Sequence, residues 1–161
     1  MPVSIRKKTA KPKSIIGTTD KIDFPLFEME DIGCKIDTGA RTSSLHCHKV
    51  HLVEKDGQRY VSFHLLDPKH KSYQKKEFRA YNFKEKKVKS SFGESEFRFS
   101  IFTVIRLFDK EFKAEFTLAD RGKMRFPVLL GQRFLQGKFL VDVSLQNISF
   151  NQKTAKQDLL T

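Results

Sequence analysis

Residues 97–108 read Phe-Arg-Phe-Ser-Ile-Phe-Thr-Val-Ile-Arg-Leu-Phe, large apolar groups alternating with charged or small ones. Residues 78–83 repeat the pattern more briefly. A period of two puts one set of side chains on a core face and the other in solvent, so both stretches are expected as half-buried strands. The rest of the chain agrees. Strands are expected at 15–27 (strand, turn, strand), 34–37, 44–54 and 60–65, with Asp56-Gly57 as a hairpin turn. Residues 67–76, opened by Asp67-Pro68, form a polar loop. Asp109-Lys110 turns into a strand over 112–118, and the continuous apolar run 126–130 suits a strand buried on both faces. Residues 132–136 allow one helical turn before a strand at 139–143. Regular strands and tight turns point to an all-β, closed or nearly closed barrel with at most one short helix.

A chain of 161 residues with 39% hydrophobic content can bury one core without disulfides or metal. Sixteen Phe and no Trp make that core phenyl-rich. Two cysteines, Cys34 and Cys47, are too few for a disulfide framework and read as core thiols in a reducing compartment. No apolar run approaches the ~20 residues of a membrane span, and the basic N-terminus lacks an apolar signal core. A cytoplasmic location with no membrane partner is expected. The organisation expected is a basic disordered arm over 1–14, one barrel domain over 15–150 and a polar tail over 151–161.

Residues 36–40 read Ile-Asp-Thr-Gly-Ala, a turn at the end of an apolar run. Asp37, Thr38 and Gly39 are ordinary turn residues, yet a carboxylate held at a strand end by Thr and Gly is also how an aspartic peptidase presents its catalytic group. Far downstream, Val128-Leu129-Leu130-Gly131 is an apolar strand end able to cross beneath that turn. Two carboxylates sharing one proton would need a second acid. With one such turn per chain, the simple solution is a homodimer through the Asp37 loop. Asp120 and Asp142 are the candidates within the chain.

Net charge of +12 favours a polyanionic partner. Residues 69–89 hold nine Lys or Arg against Glu77 and Glu85, whereas 20–31 is acidic. Arg41 follows the turn directly, and Arg121 and Arg133 flank the strand leading to Gly131. Lys87 and Lys89 precede Ser90-Ser91, a small-residue segment suited to a mobile flap. These cations are candidate ligands for substrate carboxylates, Arg because its planar fork binds both oxygens.

The run 35–46, Lys-Ile-Asp-Thr-Gly-Ala-Arg-Thr-Ser-Ser-Leu-His, resembles the signature of the retropepsin-like bacterial family described as ATP-dependent zinc proteases. Further matches lie at 87–91, 115–121, 124–131 and 137–142. The resemblance implies a retropepsin-type barrel acting beside an ATP-grasp glutamate ligase on glutamate-rich peptides. It also adds Ser43 and His46 to the expected cleft. Gln132 departs from the Arg common after Leu-Leu-Gly in that family.

His46-Cys47-His48 with His51 looks metal-like, and on a straight strand His46 and His48 share a face while His51 points away. There is neither a His-Glu-x-x-His helix nor a Cys-x-x-Cys pair, and no Walker loop for ATP, so no cofactor is expected. The function expected is aspartic-type hydrolysis of acidic peptides. The alternative is a nucleic-acid- or ribosome-binding module on a degenerate peptidase fold, with Asp37 structural.

Overall fold

The computed structural model describes residues 11–89 and 93–160. Most of the expected basic arm, and Ser90 and Ser91 of the expected flap, lie outside the described residues.

The strands are β1 (Ser14–Ile16), β2 (Thr19–Phe24), β3 (Met29–Ile36), β4 (Ser43–Lys55), β5 (Gln58–Leu65), β6 (Phe78–Ala80), β7 (Phe83–Lys89), β8 (Ser95–Leu107), β9 (Lys110–Ala119), β10 (Val128–Leu130) and β11 (Phe139–Val141). The helices are α1 (Gln132–Leu135) and α2 (Ile148–Leu159), with a 3-10 turn at Pro25–Phe27. The main sheet runs β10-β3-β2-β8-β9-β4, and β10 also pairs with β4, closing six strands into a barrel. β5 and β6 extend from β4, β7 pairs with β8, and β1 forms a separate parallel pair with β11. Among the described residues no helix is long and apolar enough to cross a membrane.

Alternation fills the barrel as the sequence pattern requires. Ile101, Ile105 and Leu107 of β8 point inward beside Phe116 and Leu118 of β9, and Ile22, Ile32 and Cys34 meet them from β2 and β3. Phenyl rings pack against one another at several places. Phe27 lies edge-on to Phe63 and Phe78, while Phe112, Phe134 and Phe139 join β9, α1 and β11. The first half of β8 behaves differently. Its register with β9 begins at Ser100, so residues 95–99 pair with β7 alone and project as a two-stranded arm on which Phe97 is 61% exposed.

Two expectations need correcting. The stretch 78–83 is not one strand, because Phe78–Ala80 pairs with β5 and the chain then bends to pair Phe83–Lys89 with β8. Second, the helix content exceeds one short turn, since 151–159 continue α2. This helix is specified from a distance. The carboxylate of Asp20, 1% exposed, accepts the Ser149 and Phe150 N–H groups, both at 3.0 Å, capping donors that have no partner within the helix. Lys153 reaches back to Asp23 at 3.0 Å and Asp31 at 2.8 Å, so the acidic 20–31 stretch neutralises a lysine from the other end of the chain.

Candidate active site

Asp37 is the first residue beyond β3, and its position follows from how β10 is threaded. β10 lies parallel to β3, with Leu130 beside Ile36, and antiparallel to β4, with Leu129 beside Ser44. It therefore separates the two strands that the Asp37 loop joins. The Asp37 N–H donates to the Leu130 carbonyl at 2.9 Å. Past β10 the chain turns into α1, whose first N–H groups bond the loop: Gln132 to the Ala40 carbonyl at 2.7 Å and Arg133 to the Arg41 carbonyl at 3.1 Å. The downstream strand end thus passes beneath the first loop.

The turn itself is closed by its own carboxylate, Asp37 Oδ1 accepting the Gly39 N–H at 2.9 Å. Asp37 is half-buried, and Thr38 and Gly39 are exposed at the tip. Within the chain Thr38 is engaged through its carbonyl, which accepts the Gln132 side-chain amide at 2.6 Å. The glutamine that departs from the family pattern is therefore spent on tying the loop to α1.

Two expected cleft residues are buried and bonded within the chain. Ser43 is 3% exposed, and its hydroxyl accepts the Gly131 N–H. His46 is likewise 3% exposed, with both ring nitrogens occupied. The Arg121 N–H donates to Nδ1 at 2.7 Å, which leaves the proton on Nε2, facing Asp67 Oδ2. That hydrogen bond and the Lys69 N–H hold the Asp67 carboxyl below its usual range. The strand carrying His46 is not straight: a bulge between His48 and His51, with Lys49 at positive φ, pairs His48 with His64 and His51 with Ser62, so His51 falls on the side of His48 and not opposite it as a straight strand would require.

The cations divide between two places. Arg121 is half-buried, its Nη1 donating to Ser44 Oγ at 2.9 Å and its Nε to the Phe126 carbonyl at 3.4 Å. Burial lowers the guanidinium's affinity for its proton, and the charge of Asp37 works against that loss. Arg41 is exposed beside the loop. Lys87 and Arg133 instead line a cavity of about 580 Å³ between the β7–β8 arm, β9 and α1. Lys86, Arg98, Lys113 and Lys138 join them there, against the single acid Glu115. Lys89 ends β7. Sequence reading missed Lys86, Arg98, Lys113 and Lys138; the alternation along β8 and β9, turned at Asp109-Lys110, was a signal for Arg98 and Lys113 alone. Neither candidate for a second acid in the chain bonds to Asp37. Asp120 Oδ1 accepts the Gly122 N–H, and Asp142 Oδ1 accepts both the N–H and the hydroxyl of Ser144.

Residues 15–152 match the family model described as the retropepsin-like aspartic endopeptidase RimB. The chain belongs to this RimB-like family. It is 35% identical over 134 residues to a probable alpha-L-glutamate ligase of Shewanella pealeana, covering 82% of this chain and 29% of that protein. A protein of the same description from Desulfotalea psychrophila is 32% identical over 136 residues, covering 83% and 29% respectively. The chain thus spans under a third of the length of these relatives. The crystal structure of Lpg0085, a Legionella pneumophila protein of unknown function, superposes with a TM-score of 0.67 at 23% identity over 86% of this chain and 99% of that one, and so shares the fold.

Proposed function

We propose that this chain is an aspartic peptidase that hydrolyses peptide bonds in acidic, glutamate-rich polypeptides, with Asp37 as the catalytic carboxylate. The observation that carries the reading is the held geometry of Asp37: half-buried at a strand end, its turn closed by Gly39 and its backbone bonded to Leu130. In the reaction one carboxylate is ionised and takes a proton from water as the oxygen attacks the peptide carbonyl. The other is protonated and donates to the carbonyl oxygen.

The second carboxylate is Asp37 of another copy. Asp120 and Asp142 are committed to their own turns, and a two-fold axis through the Asp37 loops supplies the pair with no further residue. The exposed apolar side chains Ile15 and Leu140, adjacent across β1 and β11, and Val143 beyond them give that second copy a surface to cover. An acidic substrate is favoured by the six cations of the 580 Å³ cavity, and by relatives whose names describe the joining of glutamate. The buried free thiols of Cys34 and Cys47 fit a reducing, cytoplasmic setting.

The test compares cleavage of a glutamate-rich peptide by wild type and Asp37→Asn at equal folded content, with mass in solution by sedimentation. The reading requires cleavage lost in the variant and a dimer at working concentration. The same cations also suit a nucleic-acid backbone. Salt-sensitive RNA binding without cleavage by either protein would replace the peptidase with a binding module.

A further inference from the structure

Resting on the peptidase reading, we propose that Arg121 selects an acidic substrate side chain next to the scissile bond, and that the Asp67–His46 pair positions Arg121 to do so. Arg121 differs from the exposed cations of the chain. Its guanidinium is half-buried, yet among the described residues no carboxylate lies within 4 Å of it. The two acceptors it has, Ser44 Oγ and the Phe126 carbonyl, are neutral. A partly desolvated cation with no carboxylate in direct contact is a prepared receptor for an anion, because the cost of removing its water has already been met by folding.

Its bonding partners link that receptor to the Asp37 loop. Ser44 pairs with Leu129, and the next residue of β10, Leu130, bonds the Asp37 N–H. Asp37 supplies the opposing charge that Arg121 senses. Asp120 precedes Arg121 in sequence but turns its carboxylate to the Gly122 N–H.

The position is imposed from behind. His46 Nδ1 takes the Arg121 N–H, fixing the backbone from which the side chain departs. Asp67 holds the His46 ring by its other nitrogen, so the imidazole presents an acceptor to Arg121. Gly122 packs onto this pair: a Cβ there would lie 3.6 Å from both His46 Cε1 and Asp67 Oδ2. His46 and Asp67 are positioning residues and touch no substrate.

The experiment uses two peptides that differ only by Glu or Gln beside the cleaved bond. Wild type is expected to favour Glu in kcat/KM by roughly 10- to 100-fold, the range of one charged hydrogen-bonded contact. Arg121→Gln should bring that ratio to about one, and Arg121→Lys should restore part of it. Asp67→Asn, which keeps the shape of the side chain but only one of its two acceptors, should lower the ratio, read at a temperature below the Tm of both proteins. His46→Ala adds a stronger version if it folds. An active Arg121→Gln enzyme with the wild-type ratio overturns the proposal, as does Asp67→Asn with an unchanged ratio for its positioning part. In parallel, fluorescein-labelled Glu and Gln peptides are titrated into Asp37→Asn protein, with and without Arg121→Gln, and read by anisotropy. If neither peptide is cleaved, the peptidase reading fails while this arm still decides: equal affinity for the two peptides refutes the subsite, and preference for Glu lost with Arg121 upholds it.

Discussion

Replacing Gly131 by Ala adds one methyl group at the point where the chain crosses under the Asp37 loop. Gly131 has φ of −100°, so an L-residue meets no backbone strain there and the effect is steric. The new Cβ would lie 2.6 Å from the Thr42 carbonyl oxygen and 2.8 Å from that of Ala40. Ordinary contact begins near 3.4 Å, so the 40–42 segment must retreat by about 0.8 Å (3.4 minus 2.6). Those two backbone oxygens cannot swing aside as a flexible side chain does. Overpacking of this sort costs about 1–3 kcal/mol. The retreat also strains the bonds from Gln132 to Ala40 and from Gly131 to Ser43, each contributing about 1 kcal/mol. A total of about 3–5 kcal/mol corresponds to a fall in Tm of roughly 6–20 °C for a chain of this size. Thermal unfolding by circular dichroism reads it directly. Gly33→Ala is the control, since a Cβ there meets Phe126 at an ordinary 3.5 Å, and its Tm should stay within about 2 °C of wild type. If Gly131→Ala is equally silent, the backbone contact between strand end and loop is not what holds the site. On the peptidase reading, the same displacement beside Asp37 should cost up to about 100-fold in turnover below the transition.

Other outcomes follow from the remaining polar contacts. Lys153→Met strands the Asp23 carboxylate, 6% exposed, without its cation; about 2 kcal/mol should be lost in urea unfolding, and α2 amides should exchange faster. Burial holds the Asp20 carboxyl above its usual range despite three N–H donors. A raised acid binds its proton more tightly when folded, so its stabilising contribution is complete below the unfolded value and fades as pH rises through the folded one. Wild type should accordingly gain stability relative to Asp20→Asn from pH 7 to pH 4, and a difference that does not change with pH would contradict the assignment. Cys34 and Cys47 are at most 1% exposed and burial pushes both thiols up, so the native protein should not react with a thiol reagent, whereas both should react after unfolding.

What could be read in the sequence was what repeats locally. The alternation in 97–108 located β8, Asp56-Gly57 located the β4–β5 turn, and the apolar run before Gly131 announced a strand, though not which strands it would pair with. What could not be read was set by pairing across long separations. Residues 151–159 carry too few apolar groups to signal a helix, because their order comes from Asp20 and Lys153 contacts about 130 positions apart. His46 was read as a cleft residue because the motif placed it near Asp37. Its burial depends on Asp67 and Arg121, which are 21 and 75 positions away. The burial of Ser43 was hidden for the same reason, its partner Gly131 lying 88 positions away.

The threading of β10 between β3 and β4 also bears on how the molecule comes into being. Thr38 gains its partner from Gln132, 94 residues later, and Asp37 waits on Leu130. A growing chain therefore holds its aspartate only by the local Gly39 bond and the neighbouring β2 until Leu130 and Gln132 have been made. Closing so long a loop is entropically costly and comes late among folding events. Any fragment ending before residue 130 would own the motif and lack the site.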